Sequence, residues 1–213
     1  MSTAWYALRS LVFYIGYAVI MILQPAIGLL ICKVVPDRWL QWWLLSACRA
    51  AIGWARISCG IRYELVGTEN IPAGACVVLS KHQSAWETLF LQVYLQPSVT
   101  VAKAELLRIP FFGWGLALAR PIAIDRSKPS QALKEIMRAG AAHLAEGRRV
   151  IIFPEGTRTL PGEQGEYSAG GAMLAVKAGV PVLPVALNSG DCWPRGTMIK
   201  RPGLVRVQFG PAI

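Results

Sequence analysis

Acidic residues are few in this chain: Asp and Glu number 12 against 22 Lys and Arg, a formal net charge of +10. Such an excess favours an anionic partner, either nucleic acid or an anionic lipid surface. Nucleic-acid modules are missing, since there is no zinc-finger spacing and no aromatic-rich RNA-binding motif. Lipid is the reading that remains. Charge of either sign is scarce, at 16% of residues against the usual ~25%, while apolar residues reach 54% against ~45–50%. That deficit points to membrane contact. The five cysteines (Cys32, Cys48, Cys59, Cys76, Cys192) are odd in number, scattered and without a C-x-x-C pair. They read as small apolar fillers in a reducing compartment, not as a disulfide frame or a metal site. A G-x-S-x-G nucleophile elbow, a Walker loop, internal repeats and low-complexity tracts are all absent.

What is present divides in two. Between Arg9 and Lys33 runs the charge-free stretch LVFYIGYAVIMILQPAIGLLI. It is long enough to span a bilayer and too long for the ~7–15-residue core of a signal peptide. Gln24 and Pro25 interrupt it, and a mid-helix proline predicts a kink. The next segment, RWLQWWLLSACRAAIGWARIS, is helical by pattern, with Arg38, Arg49 and Arg56 on one face and Trp39, Trp43 and Trp54 on another. Arginine and tryptophan so placed suit the headgroup layer. The pattern favours two helices dipping into one leaflet, with a simple span, or packing of the second helix on the remaining chain, as alternatives. Residues 1–57 are thus expected to anchor residues 58–213 to a membrane.

From Ile57 onward, short β-rich runs alternate with helical ones. IRYELVG, ACVVLS, VTVAK, PIAID, RVIIF, VPVLPVAL and LVRVQFG read as strands. ETLFLQVYL, ELLRIPFFGWGLALA, SQALKEIMRAGAAHLAEG and GGAMLAVKAG read as helices. This alternation predicts an α/β domain whose mostly buried mixed sheet is flanked by helices. Its chemistry is expected in loops at strand ends. The stretch Thr159 to Gly171 reads as a loop beside the site.

Two segments about 70 residues apart carry candidate chemistry. In KHQSAWE, His82 precedes a helix expected to start near Ser84, and Glu87 falls in its first turn. A carboxylate bonded to one imidazole nitrogen fixes the tautomer and leaves the other nitrogen as a base. Ser84-Ala85-Trp86-Glu87 is equally a capping box, in which Glu87 closes the helix start. Both readings stand on this segment alone. His143, the other histidine, reads as a surface or interface residue. In IIFPEGTR, Pro154 and Gly156 turn the chain after a strand and leave Glu155, Thr157 and Arg158 where ligands bind. An arginine there can hold a phosphate bidentately, helped by turn N–H groups and Thr157. The bland alternative is an ion pair between Glu155 and Arg158 bracing the loop.

With these residues in place, the chain resembles the 1-acylglycerol-3-phosphate acyltransferases, within the glycerolipid acyltransferases. KHQSAWE looks like the family's His-x4-Asp motif, PIAIDR (Pro121 to Arg126) its second block, FPEGTR its third and VPVLPVAL its fourth. KAELLRIPFFGW (Lys103 to Trp114) is similar to a further family stretch. The resemblance covers about Ile61 to the C-terminus. It implies His82 as general base with Glu87 as its partner, and Lys103, Arg126, Glu155, Gly156, Thr157 and Arg158 as substrate-binding residues. It implies direct transfer of an acyl group from acyl-CoA or acyl carrier protein to an anionic lysophospholipid, at a membrane, on its cytoplasmic side. No metal, no other cofactor and no nucleic acid is expected. Two departures stand out: Glu87 replaces the usual aspartate, and family members often continue beyond the point matching Ile213. Another lysolipid acceptor, a lysolipid or thioester hydrolase, and a non-catalytic lipid-binding protein remain as alternatives.

Overall fold

The computed structural model describes residues 2–213. Two long helices come first, α1 (Thr3–Ile31) and α2 (Asp37–Cys59). Seven strands follow: β1 (Ile61–Val66), β2 (Val77–Ser80), β3 (Ser98–Lys103), β4 (Ile122–Ile124), β5 (Arg149–Ile152), β6 (Val182–Leu187) and β7 (Gly203–Phe209). Between them lie α3 (Trp86–Tyr94), α4 (Phe112–Leu118), α5 (Pro129–Ala145) and α6 (Gly170–Ala178). All seven expected strands are present.

They form one sheet in the order β1-β7-β6-β2-β5-β3-β4. The run β6-β2-β5-β3-β4 is parallel, β7 is antiparallel to β6, and β1 is parallel to β7. The sheet is therefore mixed, as expected. Side chains alternate across it: Val78 and Ile151 pack with Trp86, Phe90 and Phe13 on one face. Val77, Val150 and Ile152 pack with Ile136, Leu144 and Leu174 of α5 and α6 on the other. Burial on both faces explains the near-continuous apolar runs of the central strands, each such side chain contributing about 1.5–3 kcal/mol.

One expected helix is broken. Ala104–Arg108 form a 3-10 turn, and α4 begins only at Phe112. Pro110 restricts the backbone before it, and Phe111 takes a φ of 60°, which no continuous right-handed helix accommodates.

The first two helices pack closely on each other. Helix α1 runs unbroken through Pro25 and is long and apolar enough, by length and composition, to cross a bilayer. Leu8, Leu11, Ile15, Val19, Ile22, Leu23 and Leu30 lie exposed along it. Two of the expected headgroup tryptophans turn inward instead. Trp43 Nε1 donates to the Gln24 carbonyl at 2.9 Å and Trp54 Nε1 to the Phe13 carbonyl at 3.0 Å, while Trp39 stays exposed. Gly16 makes this possible, because a Cβ there would come within 2.3 Å of the Trp54 indole. Helix α2 stops at Gly60, whose φ of 74° suits glycine and whose N–H closes on the Arg56 carbonyl. The Arg9 guanidinium meets the Ser58 carbonyl at that same end, where the helix dipole favours a cation.

Candidate active site

Strands β2, β5 and β6 are neighbours and parallel, so the loops that follow them leave one edge of the sheet together. That edge is where ligands bind in open α/β sheets. The antiparallel β7 enters from the same edge, bringing the loop before Gly203 alongside.

After β2 the chain places His82 and Glu87 in contact, with Nδ1 of His82 2.9 Å from Oε1 of Glu87. The carboxylate is wholly buried, and its oxygens are saturated with donors. Oε1 also accepts the backbone N–H groups of Gln83 and Ser84, each at 2.7 Å. Oε2 accepts the hydroxyls of Ser84 at 2.5 Å and Ser189 at 2.6 Å. Capping and histidine pairing are thus one arrangement, since the same carboxylate closes the turn before α3 and receives the imidazole. Burial pushes the Glu87 carboxyl up, but the bond and charge of His82 and the Ser189 and Ser84 hydroxyls outweigh it and hold the group below its ordinary value. The imidazole stacks on Phe153, with centroids 4.1 Å apart and planes 21° from parallel. A carboxylate at Nδ1 and a ring on one face fix its orientation, and among the described residues Nε2 takes no hydrogen bond.

After β5, Gly156 takes a φ of 65° with open space around it, so glycine is required by conformation and not by crowding. Gly156, Thr157 and Arg158 are exposed. Glu155 turns inward to Lys81 at 2.6 Å and accepts the Thr159 hydroxyl at 2.9 Å. The brace is therefore Glu155–Lys81 and not Glu155–Arg158. Lys81 also donates to the Glu163 carbonyl, and Thr159 N–H to the His82 carbonyl at 2.9 Å. These bonds join the two turns and tie the 159–171 stretch to them.

Residues 62–188, which hold β2 to β6 and all of β1 but its first residue, match the family model described as Acyltransferase. The chain belongs to the acyltransferase family. It is similar to the 1-acyl-sn-glycerol-3-phosphate acyltransferase of Pseudomonas aeruginosa, 47% identical over 208 residues, covering 97% of this chain and 81% of that protein. The enzyme of the same name from Limnanthes alba is 30% identical over 204 residues, covering 94% and 72%. The crystal structure of the 1-acyl-sn-glycerophosphate (LPA) acyltransferase PlsC from Thermotoga maritima superposes with a TM-score of 0.79. It has 25% sequence identity and covers 100% of this chain and 88% of that one.

Within this acyltransferase the remaining expected residues fall on the same edge. Lys103 ends β3 and is half exposed, paired with Glu105 at 3.1 Å. Arg126 follows β4 and is exposed. Desolvation holds it below the usual arginine range; Glu105 opposes this, and the charge of Arg158 adds to it. Arg126 and Arg158 thus follow neighbouring parts of the same sheet edge, and the charge of one is felt at the other. His143 lies elsewhere and is buried, contrary to expectation, between Arg148 and Glu146. Sequence reasoning missed Ser189, Lys81 and Phe153. Only proximity in the fold selects Ser189, which lies 102 residues from Glu87 in sequence.

Proposed function

We propose that this chain transfers a fatty acyl group from a thioester donor to the free hydroxyl of 1-acylglycerol-3-phosphate, forming phosphatidate. The observation that carries the reading is the His82–Glu87 pair, with Nδ1 committed to a buried carboxylate and Nε2 left open. Nε2 takes the proton of the acceptor hydroxyl as its oxygen attacks the thioester carbonyl. The carbon–sulfur bond then breaks, and the imidazolium returns the proton to the departing thiolate. Glu87 stabilises the imidazolium without taking its proton. Arg158 and Arg126, with Lys103 beside them, hold the acceptor phosphate and so convert binding energy into orientation of the hydroxyl. Gly156 and Thr157 shape that turn, and Glu155 serves it by fixing Lys81 and Thr159.

Donor and location belong to the same reading. The donor is acyl-CoA or acyl carrier protein, met on the cytoplasmic side of a membrane. The apolar outward face of α1 supplies the anchor. Helix α2 returns beside the start of α1, where Arg9 meets Ser58, which favours a hairpin entering one leaflet.

Purified, detergent-solubilised protein given lysophosphatidate and radiolabelled acyl-CoA tests the proposal. Labelled phosphatidate from the wild type but not from His82→Ala is expected. Labelled free fatty acid without phosphatidate would replace transfer by hydrolysis, and no product with either donor class would overturn the assignment.

A further inference from the structure

The loop between β6 and β7 holds charged groups that the mechanism above leaves unused. It lies past residue 188, where the family match ends. Ser189 and Gly190 fasten its start to Glu87 and Gln83. Beyond them an open cleft of about 240 Å³ is lined by Tyr14, Arg158, Trp193, Arg195, Thr197 and Lys200, among others. Three of these are cations, and no acidic side chain lines the cleft.

Lys200 is the unusual member. It is only 2% exposed, and among the described residues no carboxylate pairs with it. Its Nζ donates to the Thr197 carbonyl at 3.0 Å and lies over the rings of Tyr14 and Trp193, 5.0 and 5.4 Å from their centroids. Burial lowers its pKa to about 8, with Cys59 opposing and Arg158 adding to the shift. A desolvated ammonium without a counter-charge is costly to keep. Lys103 shows the contrast, since Glu105 already neutralises it. Arg195 donates to the Arg158 carbonyl, which joins the cleft to the turn after β5. The cleft therefore gathers three cations with no acidic side chain in its lining, and a bound anion would supply what the fold omits.

We propose that this cleft is a phosphate-binding site continuous with Arg158, in which Lys200 and Arg195 hold a substrate phosphate. The inference rests on the acyltransferase reading and deepens it. The phosphate belongs either to the acceptor headgroup or to the phosphopantetheine arm of the donor. Charge-assisted bonds of this kind correspond to a change of roughly 10- to 100-fold in binding when one is removed.

Lys200→Met, which keeps the volume, and Arg195→Gln, at the exposed rim, test the site in the full chain. KM is measured for lysophosphatidate, for acyl-CoA and for acyl-pantetheine, which lacks phosphate. A rise for lysophosphatidate alone assigns the acceptor phosphate. A rise for acyl-CoA but not for acyl-pantetheine assigns the donor phosphate. Unchanged KM for both phosphorylated substrates overturns the proposal. If Lys200 were only a structural peg, Lys200→Met would lower Tm and kcat and leave KM alone. Should that variant fail to fold, Arg195→Gln decides on the same criterion. A direct binding readout keeps the test independent of activity: inorganic pyrophosphate should raise the Tm of the wild type, at constant ionic strength, and not that of either variant. No rise in the wild type overturns the site even if acyl transfer proceeds, and a rise without acyl transfer upholds it while the acyltransferase reading fails.

Discussion

After β2 the chain buries a carboxylate and surrounds it with donors; after β5, one strand over, it leaves an arginine in the open. Both turns leave the same sheet edge and are tied together through Lys81, Glu155 and Thr159. Their difference matches what the proposed function asks of each. A proton-transfer pair needs one fixed geometry, which burial, five donors and a stacked ring provide. An anion clamp needs its charge uncommitted until substrate arrives. Under the proposed function, rigidity therefore sits at the base and open charge at the turn that would meet the phosphate.

The contrast is broken hardest at His82. His82→Ala should cost roughly 10²–10⁴-fold in kcat or more, while the sheet stays folded, as read by phosphatidate formation and thermal unfolding. Glu87→Gln comes next. Glutamine can still accept the two turn N–H groups but cannot stabilise an imidazolium, so activity should fall roughly 10²-fold with the fold retained. Glu87→Ala should instead cost about 3 kcal/mol of stability, because buried donors lose their acceptor. Full activity in Glu87→Gln, with stability lost only in Glu87→Ala, would reduce Glu87 to a cap.

On the open side, Arg158→Ala should raise the KM for lysophosphatidate roughly 10- to 100-fold. Its side chain is exposed, so Tm should hardly move. Lys103→Ala should have a smaller effect still, because Glu105 already competes for that charge. Larger effects at Lys103 than at Arg158 would reverse the order.

Acid sharpens the same comparison. The folded pKa of Glu87 lies below its ordinary value of 4.5, so the stability it contributes is fully present above that value. It is lost as pH falls through the lower folded pKa. Tm measured between about pH 6 and pH 3 should therefore fall more steeply for the wild type than for Glu87→Gln.

The sequence displayed the two regions unequally. The central strands are readable because buried parallel strands are short apolar runs bounded by turn residues, and β7 because its side chains alternate between buried and exposed. The helix expected over Glu105 to Ala119 was misread because its apolar spacing hid the local effect of Pro110 and Phe111. His82, Glu87 and Arg158 stood out through residue type beside strand ends. Ser189 did not, since a serine after β6 has no pattern of its own, and only the crossing of β6 beside β2 brings it to Glu87. Trp43 and Trp54 misled for a related reason. A helical wheel shows that they share a face but not that α1 covers it.

The most direct measurement is the kcat and KM for lysophosphatidate of His82→Ala and Arg158→Ala, side by side with the wild type. The account predicts that His82→Ala collapses kcat with KM little changed, and that Arg158→Ala raises KM with most of kcat retained. A KM effect at His82, or a collapse of kcat alone at Arg158, would contradict the division of labour between the two turns.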